Sequence, residues 1–135
     1  MTYWIRDYLG TSAADEICDP GVVVVDVRDL VDGTNKPAVI WQKIKTALAV
    51  LKLNDKVVVQ CAAGISRSNA IAAAVFAIRE GFDYSDALRI VIGKVPRANP
   101  NLEIKESVRA AITRYNRKRR PAKTTKRARR RRSSR

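Results

Sequence analysis

The stretch VVVQCAAGISRSNA (57–70) sets a cysteine at the end of a β-branched apolar run and an arginine six positions later. Lys56 and the valines at 57–59 read as a short buried strand, with Asn54-Asp55 separating it from what precedes. SNAIAAAVFAIRE (68–80) is alanine-rich and nearly all apolar, which predicts a central helix closed by Gly81. Between strand and helix stand the small residues Ala62, Ala63 and Gly64. A tight loop of this kind can turn successive backbone N–H groups inward as an anion-binding nest, and the helix N-terminus adds its positive dipole end. Small side chains let the backbone close around a phosphate. Arg67 can then grip two phosphate oxygens, best in a trigonal transition state. The same positive surroundings would lower the pKa of Cys61 and supply thiolate at neutral pH. Ser68 is placed to hydrogen-bond the sulfur.

The spacing alone proves little. Arginine fills 17 of 135 positions, so two cysteines meet a Cys-x5-Arg pattern by accident about one time in four. Cysteine is also among the most buried residue types, and Cys61 could be a small core hydrophobe with Arg67 a solvated helix residue. The strand, the glycine and the helix start in register favour the phosphate loop over that plainer reading.

Working outward, GVVVVDVRDL (21–30) follows Asp-Pro-Gly and reads as a second buried strand. DGTNKP (32–37) is loop, and Pro37 is the expected first residue of a helix. Trp41, Ile44, Leu48 and Leu51 recur at three- and four-residue spacing, predicting an amphipathic helix over 38–52. YSDALRIVI (84–92) predicts a helix ending near Gly93. RANPNLEIKESVRAAITRY (97–115) begins with turn residues and continues as a helix with Leu102, Ile104, Val108, Ala111 and Ile112 on its apolar side. Strand–helix–strand–helix order implies parallel pairing and an α/β fold, a central mostly parallel sheet flanked by helices.

The charge is unevenly spread. Residues 116–135 hold 12 of the 27 Lys and Arg and no Asp or Glu, which leaves 15 basic against 13 acidic side chains and a net of +2 for residues 1–115. The chain therefore divides into one near-neutral domain, 1–115, and a polybasic tail, 116–135. The tail has no apolar residue larger than alanine and is expected to be disordered alone. No apolar run approaches the roughly 18–20 residues of a membrane span. Two cysteines, Cys18 and Cys61, and no recognisable signal peptide fit an intracellular, cytoplasmic protein, or a nuclear one in a eukaryotic host. Histidine is absent, which removes Cys-His and Ser-His-Asp activation. Two cysteines without histidine cannot build a zinc site.

CAAGISRS (61–68) resembles the signature loop of the dual-specificity branch of the cysteine-based protein tyrosine phosphatases. WIRDYLGTSAAD (4–15) is similar to that family's opening segment, and VPRANPNLEI (95–104) to its segment before the last helix. The resemblance implies Cys61 as nucleophile and a thiophosphate intermediate. Arg67 and the loop residues Ala62, Ala63, Gly64, Ile65 and Ser66 would bind phosphate, and Ser68 would assist the second step. It further implies Asn101 as loop support, Arg97 as nearby surface or support, and no cofactor or metal. An aspartate about thirty residues before the cysteine would be the general acid. Asp29 lies 32 residues before Cys61 and is the first choice. Asp32, in the DGTNKP loop, is the second, and Asp26 falls inside the apolar run as a structural residue. Gln60 stands where the family usually has histidine; it can hydrogen-bond but brings no positive charge.

The short stretch between residue 15 and Cys61 implies a shallow rim, with no long loop to deepen the pocket for phosphotyrosine. Such a rim would admit phosphoserine and phosphothreonine, or a nucleotide end. The expected reaction covers phosphotyrosine as well as phosphoserine and phosphothreonine. The expected partner is a phosphorylated protein, met by a monomer without a membrane. The basic tail adds two alternatives. One is an RNA 5′-phosphatase or triphosphatase whose tail binds RNA through counterion release. The other is a phosphate- or nucleic-acid-binding protein, RNA or DNA, without turnover. A targeting role for the tail is the blander reading, because charge runs carry little specificity.

Overall fold

In the computed structural model, which describes residues 2–116, a mixed four-stranded sheet is flanked by four helices. The strands are β1 (Tyr3–Arg6), β2 (Leu9–Ala13), β3 (Val23–Asp26) and β4 (Val57–Cys61), in the order β1-β2-β4-β3. β1 and β2 form an antiparallel hairpin, whereas β2 and β3 both run parallel to β4. All five residues of β4 are buried, Gln60 among them, as expected of a strand with neighbours on both edges.

The two strands read from apolar runs are present, but β3 stops at Asp26 rather than near residue 30. The β1–β2 hairpin carries no such run. Leu-Gly-Thr-Ser-Ala is poor strand sequence, and it is held in the sheet by its pairing with β4, from Leu9↔Val57 to Ala13↔Cys61. Gly10 is required there by crowding: a Cβ would meet Thr2 Cγ2 at 2.9 Å and Trp4 Cε3 at 3.0 Å.

Helix α1 (Pro37–Leu53) starts on its proline and buries Ile40, Trp41, Ile44, Ala47 and Leu51. Helix α2 (Arg67–Glu80) follows the cysteine loop, and ten consecutive residues, 68–77, are buried. It packs on β4 and β2 and touches every other helix, which is why its sequence is apolar all round and rich in alanine. Gly81, at φ +77°, ends it in the left-handed conformation. Helix α3 (Tyr84–Lys94) ends one residue past Gly93, as expected, and its C-cap is extended Val95. Helix α4 (Leu102–Ala111) begins only after Asn101, whose Oδ1 accepts from the Ile104 N–H at 2.9 Å. A π-helical turn, Ile112–Asn116, follows it, and Tyr115 stacks on Trp41 with ring centroids 5.8 Å apart. The chain therefore stays tied to α1 until the last described residue. The polybasic segment lies outside the described residues, apart from Asn116.

The core gathers around α2. Phe76 is fully buried, tilted against Phe82 at 5.0 Å and covered by the Arg6 guanidinium at 4.4 Å. Glu80, at the end of the same helix, accepts from Tyr8 Oη at 2.7 Å and from Arg6 Nε at 3.1 Å. The β1–β2 hairpin is thereby fastened to the helix that carries the arginine of the loop. Phe76→Ala should lower stability by about 3–5 kcal/mol through the cavity it leaves, measured by urea unfolding of the whole chain.

Candidate active site

The site forms where the parallel strands end, the usual place for a ligand in an open α/β sheet. Cys61 is the last residue of β4, the loop 62–66 turns back, and Arg67 opens α2. Cys61 is 2% exposed and its Sγ lies 3.3 Å from Ser68 Oγ. Burial pushes the thiol up, but the Ser68 hydroxyl, the backbone N–H groups of Ser68 and Gly64, and the Arg67 charge outweigh it. The Cys61 pKa falls below its ordinary value.

Gly64 is fixed by two constraints. Its φ is +71°, and a Cβ would come within 2.7 Å of Arg97 Nη2 and 2.9 Å of Arg97 Cζ. Arg97 is clamped by Glu16, with Nη2 to Oε1 at 2.7 Å and Nη1 to Oε2 at 3.0 Å, and lies over the Tyr3 ring. The guanidinium, with the Ala13 N–H at 2.8 Å, holds the Glu16 carboxyl well below the usual range. Arg97 therefore packs against the loop as support, with the Glu16 ion pair behind it.

Arg67 reaches across to the segment after β3. Its Nη1 donates to the carbonyls of Arg28 at 2.8 Å and Leu30 at 3.0 Å. Asp29 sits between those carbonyls, with an exposed carboxylate paired to Lys43 Nζ at 2.8 Å. Asp32 is held elsewhere: its Oδ1 and its carbonyl both accept from Asn101 Nδ2 at 2.8 Å. Asp26 is exposed at the end of β3, not enclosed in the apolar run, and its carboxylate takes up Arg28 Nε and Nη2. That pairing lowers its pKa.

Asn101 joins three parts of the site. It caps α4, holds Asp32, and donates its backbone N–H to Ser66 Oγ at 3.1 Å. The contact between Asn101 and the loop runs from its backbone N–H to the Ser66 hydroxyl, not through its side chain. Gln60 does not bond the backbone through its side chain; its Nε2 donates to Ser12 Oγ at 3.1 Å, and Ser12 Oγ lies 3.7 Å from Cys18 Sγ.

Two residues of the site are not signalled by the motif. Lys43 falls on the polar side of α1 and reads from sequence as a solvated charge. Asn69, inside the apolar helix pattern, is fully buried and donates to two loop carbonyls, Gly64 O at 2.9 Å and Ile65 O at 3.0 Å. A polar side chain interrupting a buried alanine-rich run was the available signal.

The thiol environment makes a direct prediction. Ser68→Ala removes a donor to the thiolate, so the midpoint of the Cys61 alkylation rate against pH should move upward. Gln60→His introduces a cationic form beside the strand end and should move it downward. Iodoacetamide labelling of Cys61 across pH measures both.

No protein-family model and no curated protein matches the sequence. Solved structures do match the fold. A mouse putative dual specificity phosphatase complexed with zinc tungstate superposes with a TM-score of 0.75 at 15% identity, covering 87% of this chain and 90% of that one. A point variant of human DUSP28 gives 0.74 at 16% identity over 87% and 97%. Tk-PTP in its active form gives 0.68 at 18% identity over 84% and 97%. At these identities the likeness is one of architecture, and the chain has the fold of the dual-specificity phosphatases.

Proposed function

We propose that the chain is a cysteine-dependent phosphatase that hydrolyses phosphomonoesters of proteins through a thiophosphate intermediate. The observation that carries this reading is the surroundings of Cys61: a buried thiol of lowered pKa, met by the Ser68 hydroxyl and by backbone N–H groups at the start of a helix. A structural cysteine in an apolar pocket would have its pKa raised instead.

The Cys61 thiolate attacks phosphorus in line with the departing oxygen, forming the S–P bond as the P–O bond breaks. Arg67 has five N–H donors. Nη1 is held by the carbonyls of Arg28 and Leu30, which orients Nε and Nη2 as the fork for two equatorial oxygens. Asp29 donates a proton to the leaving oxygen, and its carboxylate then accepts one from the water that attacks the thiophosphate. Ser68 donates to the departing thiolate in that second step, and phosphate leaves. Asp29 is favoured over Asp32 because its neighbours hold Arg67, whereas the Asp32 carboxylate is held by Asn101.

The sequence of residues 116–135 supports a second substrate class, the 5′ end of RNA, with the polycation gathering the strand. Around the loop itself, Arg28, Lys43 and Arg97 are each paired with a carboxylate, of Asp26, Asp29 and Glu16. Attraction for a polyanion would therefore come from the tail. The phosphoprotein reading is preferred for that reason.

Cys61→Ser should abolish hydrolysis of phenyl phosphate in the presence of a chelator, and Arg67→Ala should reduce it by orders of magnitude. Asp29→Asn should lose about 10²–10⁴-fold on phenyl phosphate and much less on p-nitrophenyl phosphate, whose leaving group needs little protonation. Full activity of Cys61→Ser would sink the mechanism.

Phosphotyrosine peptide, phosphothreonine peptide and 5′-triphosphate RNA, compared in one assay with vanadate as inhibitor, separate the substrate classes. The peptides should be the better substrates. If RNA wins, deleting residues 116–135 or raising the salt concentration should weaken its turnover selectively.

A further inference from the structure

Asn69 follows Ser68 in the first turn of α2 and is fully buried. Its Nδ2 meets the carbonyls of Gly64 and Ile65 at 2.9 and 3.0 Å. Only the NH2 end of the amide can satisfy two carbonyls, so the orientation of the side chain is fixed by them. Among the described residues its Oδ1 has no hydrogen-bond partner. A buried acceptor left unmet costs about 1–3 kcal/mol. Helix packing alone would be served better by an alanine or valine, the residue types that line the rest of this helix. An asparagine here is explained by what its donors do.

The peptide group is planar and trans, so each N–H points away from the C=O of the same unit. Drawing the Gly64 carbonyl toward Asn69 aims the Ile65 N–H the other way. Drawing the Ile65 carbonyl toward Asn69, and toward the Asn99 N–H at 2.9 Å, does the same for the Ser66 N–H. Ile65 retains Asn99 without Asn69, whereas Asn69 is the one partner found for the Gly64 carbonyl among the described residues. That carbonyl adjoins the residue at φ +71°, where a glycine without a Cβ turns most easily.

We infer that Asn69 is a positioning residue that holds the phosphate loop in its anion-binding conformation, by keeping the Gly64 and Ile65 carbonyls turned out of the cradle. Without it the Gly64–Ile65 peptide is free to rotate, replacing an N–H donor in the cradle by a carbonyl oxygen that repels the anion. Asn69 touches neither substrate nor the sulfur; it acts through the loop. The inference rests on the phosphatase reading, and an oxyanion that is bound but not turned over separates the two.

Tungstate binding to the full chain should be measured by calorimetry at a salt concentration that suppresses association with the tail, with Arg67→Ala as the reference for a lost site. Wild type should bind one tungstate at the loop. Asn69→Val, which keeps the shape and removes both donors, should weaken tungstate about tenfold or more. Asn69→Thr, with one donor, should fall between. The vanadate inhibition constant and KM should rise in parallel with the tungstate dissociation constant, while the melting temperature stays near that of wild type. A folded Asn69→Val protein that binds tungstate as tightly as wild type overturns the inference and leaves the phosphatase reading standing. If Asn69→Val does not fold, Asn69→Thr decides: wild-type affinity for tungstate overturns the inference. Wild type that fails to bind tungstate at the loop overturns both.

Discussion

The arrangement of the site depends on where the carbonyls of residues 62–66 go. Ala62 O accepts from the Ala14 N–H, Gly64 O from Asn69, Ile65 O from Asn69 and the Asn99 N–H, and Ser66 O from the Ala70 N–H. Four of the five loop carbonyls are thus taken up by the hairpin end, α2 and the segment before α4. A backbone that delivers its acceptors to surrounding elements must present its donors on the other side. The inward-turned N–H groups of the loop are therefore a consequence of packing on all sides of it, not of the loop sequence by itself. Strand β4 fixes one end of the loop, helix α2 the other, and Arg97 beneath Gly64 fills the middle.

The loop and the segment carrying Asp29 and Asp32 are also joined. Arg67 holds the carbonyls on either side of Asp29, and Asn101 holds both Ser66 and Asp32. Asn35 closes the remainder, bonding Val31 and Gly33 through its side chain and Ser107 of α4 through its N–H. Residues 28–35 have no regular secondary structure. Their position is set by three polar side chains from other elements, Arg67, Asn101 and Ser107, together with the Asn35 turn. Leu30, 2% exposed, also anchors the segment in the core.

The parts of the fold legible in the sequence were those where one physical signal dominates. The valine runs of β3 and β4, the spacing of Trp41, Ile44, Leu48 and Leu51, and the alanine-rich α2 each bury one consistent surface. The β1–β2 hairpin was not legible as strands, because Leu9–Ala13 is made a strand by Val57–Cys61 beside it and not by its own propensity. The end of α3 near Gly93 was legible to within one residue, at Lys94. At the site, the placing of Cys61, Arg67 and Ser68 around one strand–loop–helix turn was readable because it depends on local spacing. Lys43, Asn69 and the Glu16 partner of Arg97 were not, since each acts across the tertiary structure: Glu16 and Arg97 are 81 positions apart.

Gln60 gains its meaning from the absence of histidine in the chain. Histidine is the side chain whose ordinary pKa lies near neutrality, and a protonated imidazole beside β4 would have supported the thiolate with a full charge. Gln60 spends its donor on Ser12, whose hydroxyl lies near Cys18, so this side of the strand contributes dipoles only. The lowered pKa of Cys61 must then come from the Ser68 hydroxyl, the Ser68 and Gly64 amides and the charge of Arg67. Three of those four contributions depend on backbone and side-chain orientation at the loop and the first turn of α2, and Arg67 is itself held by carbonyls. A thiol whose pKa is lowered mainly by oriented dipoles, with Arg67 as the one cation contributing, is sensitive to the geometry of the loop. That ties the chemistry of Cys61 to Gly64, whose place is held by Arg97 on one side and Asn69 on the other.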